Sequence, residues 1–310
     1  MVDIKAGDVL LFQGSGFISK AIRFLDGSEV NHAAIALDST TLAEATGHGL
    51  DTAPISAGVE NNVSTWVLRA TSGDAVAAAR RAAEYESTGV FYAYQQIILL
   101  AALCLTRRIP IKNRIFRKVV RHVLDSAADI VNGFVDKGAD LMICSEYVYR
   151  CYRETGLDLL PGGLPDTASA EGDGVVLLDW LDTQPPPLAP MSTRATVIDH
   201  PLAEAERAEF EISALLATFF AETDPTIPVP QSTDAELTVT DDEITRAALQ
   251  FGRATQRLMR QRDPQMVATM GLGIADLVHL LRGTLSTNAN FVTPRDLFFT
   301  STLKRVGNLP

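Results

Sequence analysis

Two periods run along this chain, one near two and one near 3.6, and the changes between them mark out its elements. Residues 7–13, Gly-Asp-Val-Leu-Leu-Phe-Gln, read as a turn and a short strand, which Gly14-Ser15-Gly16 interrupts. From Phe17 to Leu25 the apolar residues fall at 17, 18, 21, 22, 24 and 25, a helical spacing that ends near Gly27. Asn31 to Leu37 is a β-like run, Thr41 to Ala45 is its hairpin partner, and Asp38-Ser39-Thr40 supplies the turn. Val63 to Ala70 predicts another strand and Asp74 to Glu86 an alanine-rich helix. Phe91 to Leu105 is apolar and predicts a helix that leads into an amphipathic basic stretch at 107–122. The helical pattern then resumes from Ser126 to Val135.

An apolar approach, Leu141-Met142-Ile143, then turns into a helix. Val148, Cys151 and Tyr152 lie four, seven and eight residues beyond Cys144 and form its apolar stripe. Gly174 to Leu181 reads as a strand or short helix, and the Pro-rich Thr183–Pro190 marks a boundary. Three helices follow, Glu204 to Glu222, Asp241 to Arg262 and Pro264 to Gly283, with a Pro- and Thr-rich linker between the first two. Thr293 is placed to cap a last helix with Pro294 in its first turn. The chain is thus expected to divide into a core at 1–195, a helical insertion or accessory region at 200–285, and an element at 290–310 returning to the core.

Composition narrows the classes of function. With 310 residues, 46% hydrophobic and 21% charged, the chain has the make-up of a soluble globular protein. A net charge of −11 argues against nucleic-acid binding, which needs a basic surface. The charge is uneven, since residues 107–121 carry seven cations and no acid while 203–243 are acidic. Three cysteines at irregular spacing offer neither a disulfide framework nor a metal site. They fit a reducing compartment, and no cofactor or metal is expected. The first residues lack the pattern of a signal peptide, and Ile97–Leu105 is about half of the ~20 residues a membrane span needs. A cytoplasmic location, or export without a classical signal peptide, is the expectation.

The candidate chemistry centres on Cys144. At a helix N-terminus, unpaired N–H groups and the helix dipole favour an anion, and a thiolate is one. A nucleophilic cysteine also needs an imidazole and a polar group to orient it. His32 and Glu44 lie on adjacent strands ~4.8 Å apart, where side chains of one face alternate with period two, so the carboxylate can orient the ring. His48 is a rival orienting group, although Gly47 and Gly49 beside it suggest a turn. Taken singly, a buried cysteine is usually a small core residue, and a histidine among apolar neighbours is a satisfied core residue.

Order and spacing together resemble the circularly permuted branch of the NlpC/P60 papain-like superfamily, especially its YiiX-type cysteine hydrolases. The resemblance is carried by Gly7–Gln13, Asn31-His32-Ala33-Ala34-Ile35, Glu44 and Cys144-Ser145-Glu146-Tyr147-Val148, and less specifically by Gly89–Tyr94 and Val292–Leu297. It covers roughly residues 5–180 and the tail. In unpermuted relatives the cysteine precedes the histidine; here the histidine comes first. The resemblance implies an α+β fold, a small antiparallel sheet packed on the nucleophile helix. It also implies a cysteine hydrolase with Cys144 as nucleophile, His32 as base and Glu44 orienting it. The substrate would be a short cell-wall-type peptide, an isopeptide or a related amide. Gln13 and the Cys144 backbone N–H are candidate oxyanion donors, and Tyr92 and Tyr94 candidate pocket residues. Glu146 is expected to hold the loop rather than react. Helices 201–283 have no counterpart in this family.

Two alternatives stand beside that reading. Relatives of the permuted fold include lecithin:retinol acyltransferase-like proteins, so an acyltransferase, thioesterase or phospholipase acting on lipids is one. The apolar Ile97–Leu103 run beside a basic helix could then meet a membrane surface through Ile97–Arg121. The plainer reading of that stretch is a buried helix followed by a solvated one. The other alternative is an inactive binding module or a toxin-like effector, and the intact Cys–His–Glu set argues against inactivity.

Overall fold

The computed structural model describes residues 2–47, 49–88, 91–92, 96–138, 140–161, 174–185, 201–223, 238–262, 278–279, 281–282 and 292–309. In chain order the first elements are β1 (Val9–Gln13), α1 (Phe17–Asp26), β2 (His32–Ala36), β3 (Thr41–Thr46), β4 (Gly49–Pro54), α2 (Ile55–Glu60) and β5 (Ser64–Ala70). There follow α3 (Ala75–Thr88), β6 (Phe91–Tyr92), α4 (Gln96–Thr106), β7 (Arg108–Ile109), α5 (Arg114–Asp136), β8 (Asp140–Leu141) and α6 (Cys144–Arg153). The last are β9 (Val175–Val176), α7 (Leu177–Leu181), α8 (Pro201–Thr223), α9 (Asp241–Arg262), α10 (Pro294–Phe299) and β10 (Leu303–Leu309).

The chain forms two compact units. One comprises residues 1–99, 140–168 and 285–310, and the other 100–139 and 169–284. The first is mixed α+β, built on a six-stranded antiparallel sheet in the order β10-β5-β1-β2-β3-β4. Strand alternation sends Val9, Leu11, Ala33, Ile35, Ala43, Ala45, Trp66 and Leu68 to one face, where α3 and α6 pack. Leu10, Phe12, Ala34, Ala36 and Leu42 go to the other and meet Ile55 of α2. β1 is therefore covered on both sides, which explains its unbroken apolar run. Small side chains at Ala33, Ala43 and Ala45 let α6 lie close to β2 and β3.

Polar ties fix α6 further. The hydroxyl of Tyr147 donates to the Ala82 carbonyl of α3 (2.8 Å), and that of Tyr152 to the Gly7 carbonyl before β1. Thr293 caps α10, its side-chain oxygen accepting from the Asp296 N–H (3.3 Å), with Pro294 in the first turn. β10 then runs antiparallel to β5, so residues 303–309 close one edge of the sheet. Phe91 and Tyr92, read from sequence as part of a helix, instead form a two-residue strand. The aromatic pair lies parallel to Asp140–Leu141, and the helix starts only at Gln96.

The second unit is helical around α5. Asn113 caps it by accepting from the Ile115 and Phe116 N–H groups, both at 2.9 Å. The buried stripe of α5, including Phe116, Val120, Leu124, Ile130 and Phe134, packs against α8 and α9. Arg117 pairs with Asp241 (2.5 Å) and Arg121 with Glu243 (2.8 Å). The apolar residues Ile97 to Leu105 of α4 are all buried. Among the described residues, no helix is long and apolar enough to cross a membrane. The third expected helix, Pro264 to Gly283, falls almost wholly outside the described residues.

Gly7 is a position where only glycine fits. Its φ is +86°, and a Cβ there would lie 2.2 Å from the Ala75 carbonyl oxygen at the start of α3. Gly7→Ala is expected to lower unfolding stability by about 1–3 kcal/mol or more in urea titration; an unchanged midpoint would contradict this packing.

Candidate active site

Cys144 is the first residue of α6, and its helix begins abruptly because Ile143 remains extended (φ −84°, ψ 159°). The thiol sits at the positive end of a ten-residue helix and is 1% exposed. Glu146 holds this turn. Its carboxylate accepts from the Ile143 N–H at 3.4 Å and pairs with Arg150 at 3.0 Å, while 2% of the residue is exposed. Ser145 donates to the Val292 carbonyl at 2.5 Å, so the segment before α10 is fastened to the residue next to the thiol.

His32 opens β2, directly across from Phe12 of β1, and the two rings lie 5.6 Å apart. Glu44 stands opposite Ala34 rather than opposite His32. The pair is thus diagonal on one face, a relation which a long carboxylate side chain can span. His32 Nε2–H donates to Glu44 Oε2 at 2.6 Å. That bond leaves Nδ1, which is buried and makes no hydrogen bond, as the ring nitrogen open to a proton from elsewhere.

The electrostatics follow from this enclosure. Burial by itself lowers the His32 pKa. The charge and hydrogen bonding of the Cys144 sulfur, then the Glu44 carboxylate, more than offset it and raise the value from 6.5 to about 10. Burial pushes Glu44 upward, but the hydrogen bond and charge of His32 prevail and hold it below its ordinary 4.5. The other two cysteines are different. Cys104 lies within apolar α4, and burial pushes its thiol up to about 12; burial also pushes up that of Cys151. All three are free and buried; among the described residues it is the Cys144 sulfur whose charge acts on the His32 imidazole.

The remaining sequence candidates fall as follows. Gln13 ends β1, half-buried, on the face shared with Val9 and Leu11 against which α6 packs. Tyr92 pairs through its backbone with Leu141, three residues before the thiol, so β6 borders the approach to α6. Tyr94 and His48 lie outside the described residues. Among the described residues, no cluster of His, Cys, Asp and Glu could hold a metal ion. The tie from Ser145 to Val292 was not anticipated from sequence, although both residues lie in segments singled out there.

No family model matches the chain, and no solved structure matches it. Among curated proteins it is 27% identical over 158 residues to the probable lipoprotein peptidase YaeF of Escherichia coli (strain K12). The match covers 50% of this chain and 57% of that protein, so the chain spans little more than half the length of the relative it matches.

The shifts of His32 and Glu44 set a pH window for stability. His32 holds its proton to about pH 10 when folded but releases it near 6.5 when unfolded, so its contribution is whole below 6.5 and drains away as pH rises toward 10. Glu44 contributes above its ordinary 4.5 and loses that contribution as pH falls through its lower folded value. The difference in melting temperature between wild type and His32→Ala is therefore expected to shrink from pH 6.5 to 10. A gap that stays constant or widens would mean that the folded imidazole is neutral.

Proposed function

We propose that this protein is a cysteine hydrolase of permuted papain-like organisation that cleaves an amide bond, in a peptide or isopeptide, through a Cys144 acyl-enzyme. The observation that carries the reading is the His32–Glu44 pair at 2.6 Å, with His32 under the influence of the Cys144 sulfur at a helix N-terminus and its other ring nitrogen buried and unbonded. The order of the pieces, with histidine strand before nucleophile helix, supports the permuted arrangement, and the likeness to a probable lipoprotein peptidase supports hydrolysis of a peptide.

In this mechanism Glu44 fixes the ring and favours its protonated form, and His32 holds the proton taken from the thiol. The Cys144 sulfur attacks the carbonyl carbon. The developing oxyanion meets the Cys144 backbone N–H at the helix end, with the Gln13 amide as a second donor. His32 gives its proton to the leaving nitrogen, the C–N bond breaks, and a thioester remains. A water then loses its proton to His32 and attacks that thioester, which releases the acid and restores the thiol.

Alkylation by iodoacetamide across pH tests the assignment. An ordinary thiol with pKa ~8.5 is only about 0.3% thiolate at pH 6. Wild type is expected to alkylate at Cys144 about tenfold or more faster than a free thiol there, after allowing for the lower nucleophilicity of a stabilised thiolate. His32→Ala should lose that advantage and Cys144→Ala the label itself. If Cys144 follows the profile of an ordinary thiol and His32→Ala changes nothing, the catalytic reading fails.

A further inference from the structure

The last residues of the chain gather cations and aromatic rings beside β5. Trp66 of β5 meets the Phe298 ring of α10 edge-on, with ring centroids 5.5 Å apart. The guanidinium of Arg305, on the neighbouring strand β10, lies 5.6 Å from the same indole. Phe298 in turn touches Phe299 at 5.1 Å, and the Arg295 guanidinium lies 5.2 Å from the Phe299 ring. Residues 295, 298 and 299 are three and four apart on a helix, so they share one face of α10. Arg305, Trp66, Phe298, Phe299 and Arg295 thus form one continuous row with a cation at each end.

Two buried donors in this row have no acceptor. Trp66 is 5% exposed, and its Nε1–H is buried and makes no hydrogen bond; the Nε–H of Arg295 is likewise buried and unbonded. Buried N–H groups are nearly always paired, because water no longer satisfies them. Indole and guanidinium only donate, so both need an acceptor that a row of cations and hydrocarbon rings does not supply. Charge points the same way. The chain carries 38 acidic against 27 basic residues, and Arg69, Arg81 and Arg150 of this unit pair with carboxylates, yet Arg295 and Arg305 rest on rings. The one acid of α10, Asp296, is buried and accepts from the Thr293 N–H at 2.8 Å in the helix cap. Phe299 is 61% exposed, so the row opens to solvent.

We propose that this face of α10 and β10 is a binding site for an oxyanion, the carboxylate or phosphate group of a ligand, which Arg295 and Arg305 attract and to which the Trp66 and Arg295 N–H groups donate. Both anions present several acceptor oxygens that match a guanidinium fork. A guanidinium resting on a ring keeps its edge free to donate, and the ring limits the orientations it must give up on binding. The exposed aromatic surface beside the cations fits a ligand whose anionic group is carried on an apolar or planar body. The site does not depend on Cys144 being a nucleophile.

The indole N–H reports on the site directly. The chain has two tryptophans, so Trp180→Phe leaves Trp66 as the single indole signal in the NMR spectrum of nitrogen-15-labelled protein. The probes are succinate and inorganic phosphate, each compared with sodium chloride at equal ionic strength. At least one of the two anions is expected to move the Trp66 N–H resonance downfield and to saturate, as the donor gains an acceptor, while chloride does not. A response to succinate alone assigns a carboxylate ligand, to phosphate alone a phosphoryl ligand, and to both an oxyanion of either kind. Arg295→Gln and Arg305→Gln are each expected to raise the dissociation constant about fivefold or more. Arg305 is solvent-exposed, so its replacement tests the site even if Arg295→Gln fails to fold. If neither anion moves the resonance beyond the chloride control, or if the response is unchanged in the arginine variants that fold, the site is overturned.

Discussion

A charged imidazole beneath the surface of a sheet is the constraint around which the first unit is arranged. Removing His32 from water disfavours its proton, and only the carboxylate of Glu44 and the sulfur of Cys144 reverse that. Each partner arrives from a different element, so three placements must hold at once. The β2–β3 register puts Glu44 on the face of His32, and a one-residue slip would turn the carboxylate to the opposite side. That register is secured by packing, since Ala43 and Ala45 belong to the buried face under α6 and Leu42 to the other. The charged pair thus depends on apolar neighbours that share no chemistry with it.

Legibility in the sequence followed the strength of the local signal. β1, α1, the β2–β3 hairpin, β5, α3 and the start of α6 announce themselves through periodicity and breakers such as Gly27, and the candidate trio lies on them. The elements that escaped notice have weak patterns. β4 and α2, together residues 49–60, alternate poorly and carry Pro54 at their junction. β10 reads Leu-Lys-Arg-Val-Gly-Asn-Leu, with exposed cations in its middle, as an edge strand tolerates. Phe91 and Tyr92 became a strand because Leu141 and Asp140 offered them backbone partners, information that lies nearly fifty residues away. The diagonal rather than facing relation of His32 and Glu44 likewise depends on a register that no single strand reveals.

The basic stretch before α6 shows the same limit for charge. Seven cations without an acid invite thoughts of an anionic surface, yet Arg117 and Arg121 find Asp241 and Glu243 at the start of α9. The acidic excess late in the chain and the basic excess in α5 are two halves of one helical unit. Charge runs read along a sequence are blind to such pairing, and the apolar stripe of α5 says only that it has a partner, not which.

The bond from Ser145 to Val292 and the pairing of β10 with β5 carry a consequence for the order in which this molecule can be made. Ser64 of β5 and Asn308 of β10 are joined at 3.0 Å across 244 residues of chain. During synthesis the strand carrying His32, its hairpin partner and even Cys144 emerge long before the segment that fastens the turn at Cys144 and closes the sheet edge. Until then β5 presents an unpaired edge, and the turn at Cys144 lacks its anchor. Such distant closure makes folding slow and leaves the edge open to wrong partners meanwhile. It also means that the nascent chain holds Cys144 in an unfinished setting until residues 292–309 have emerged and docked.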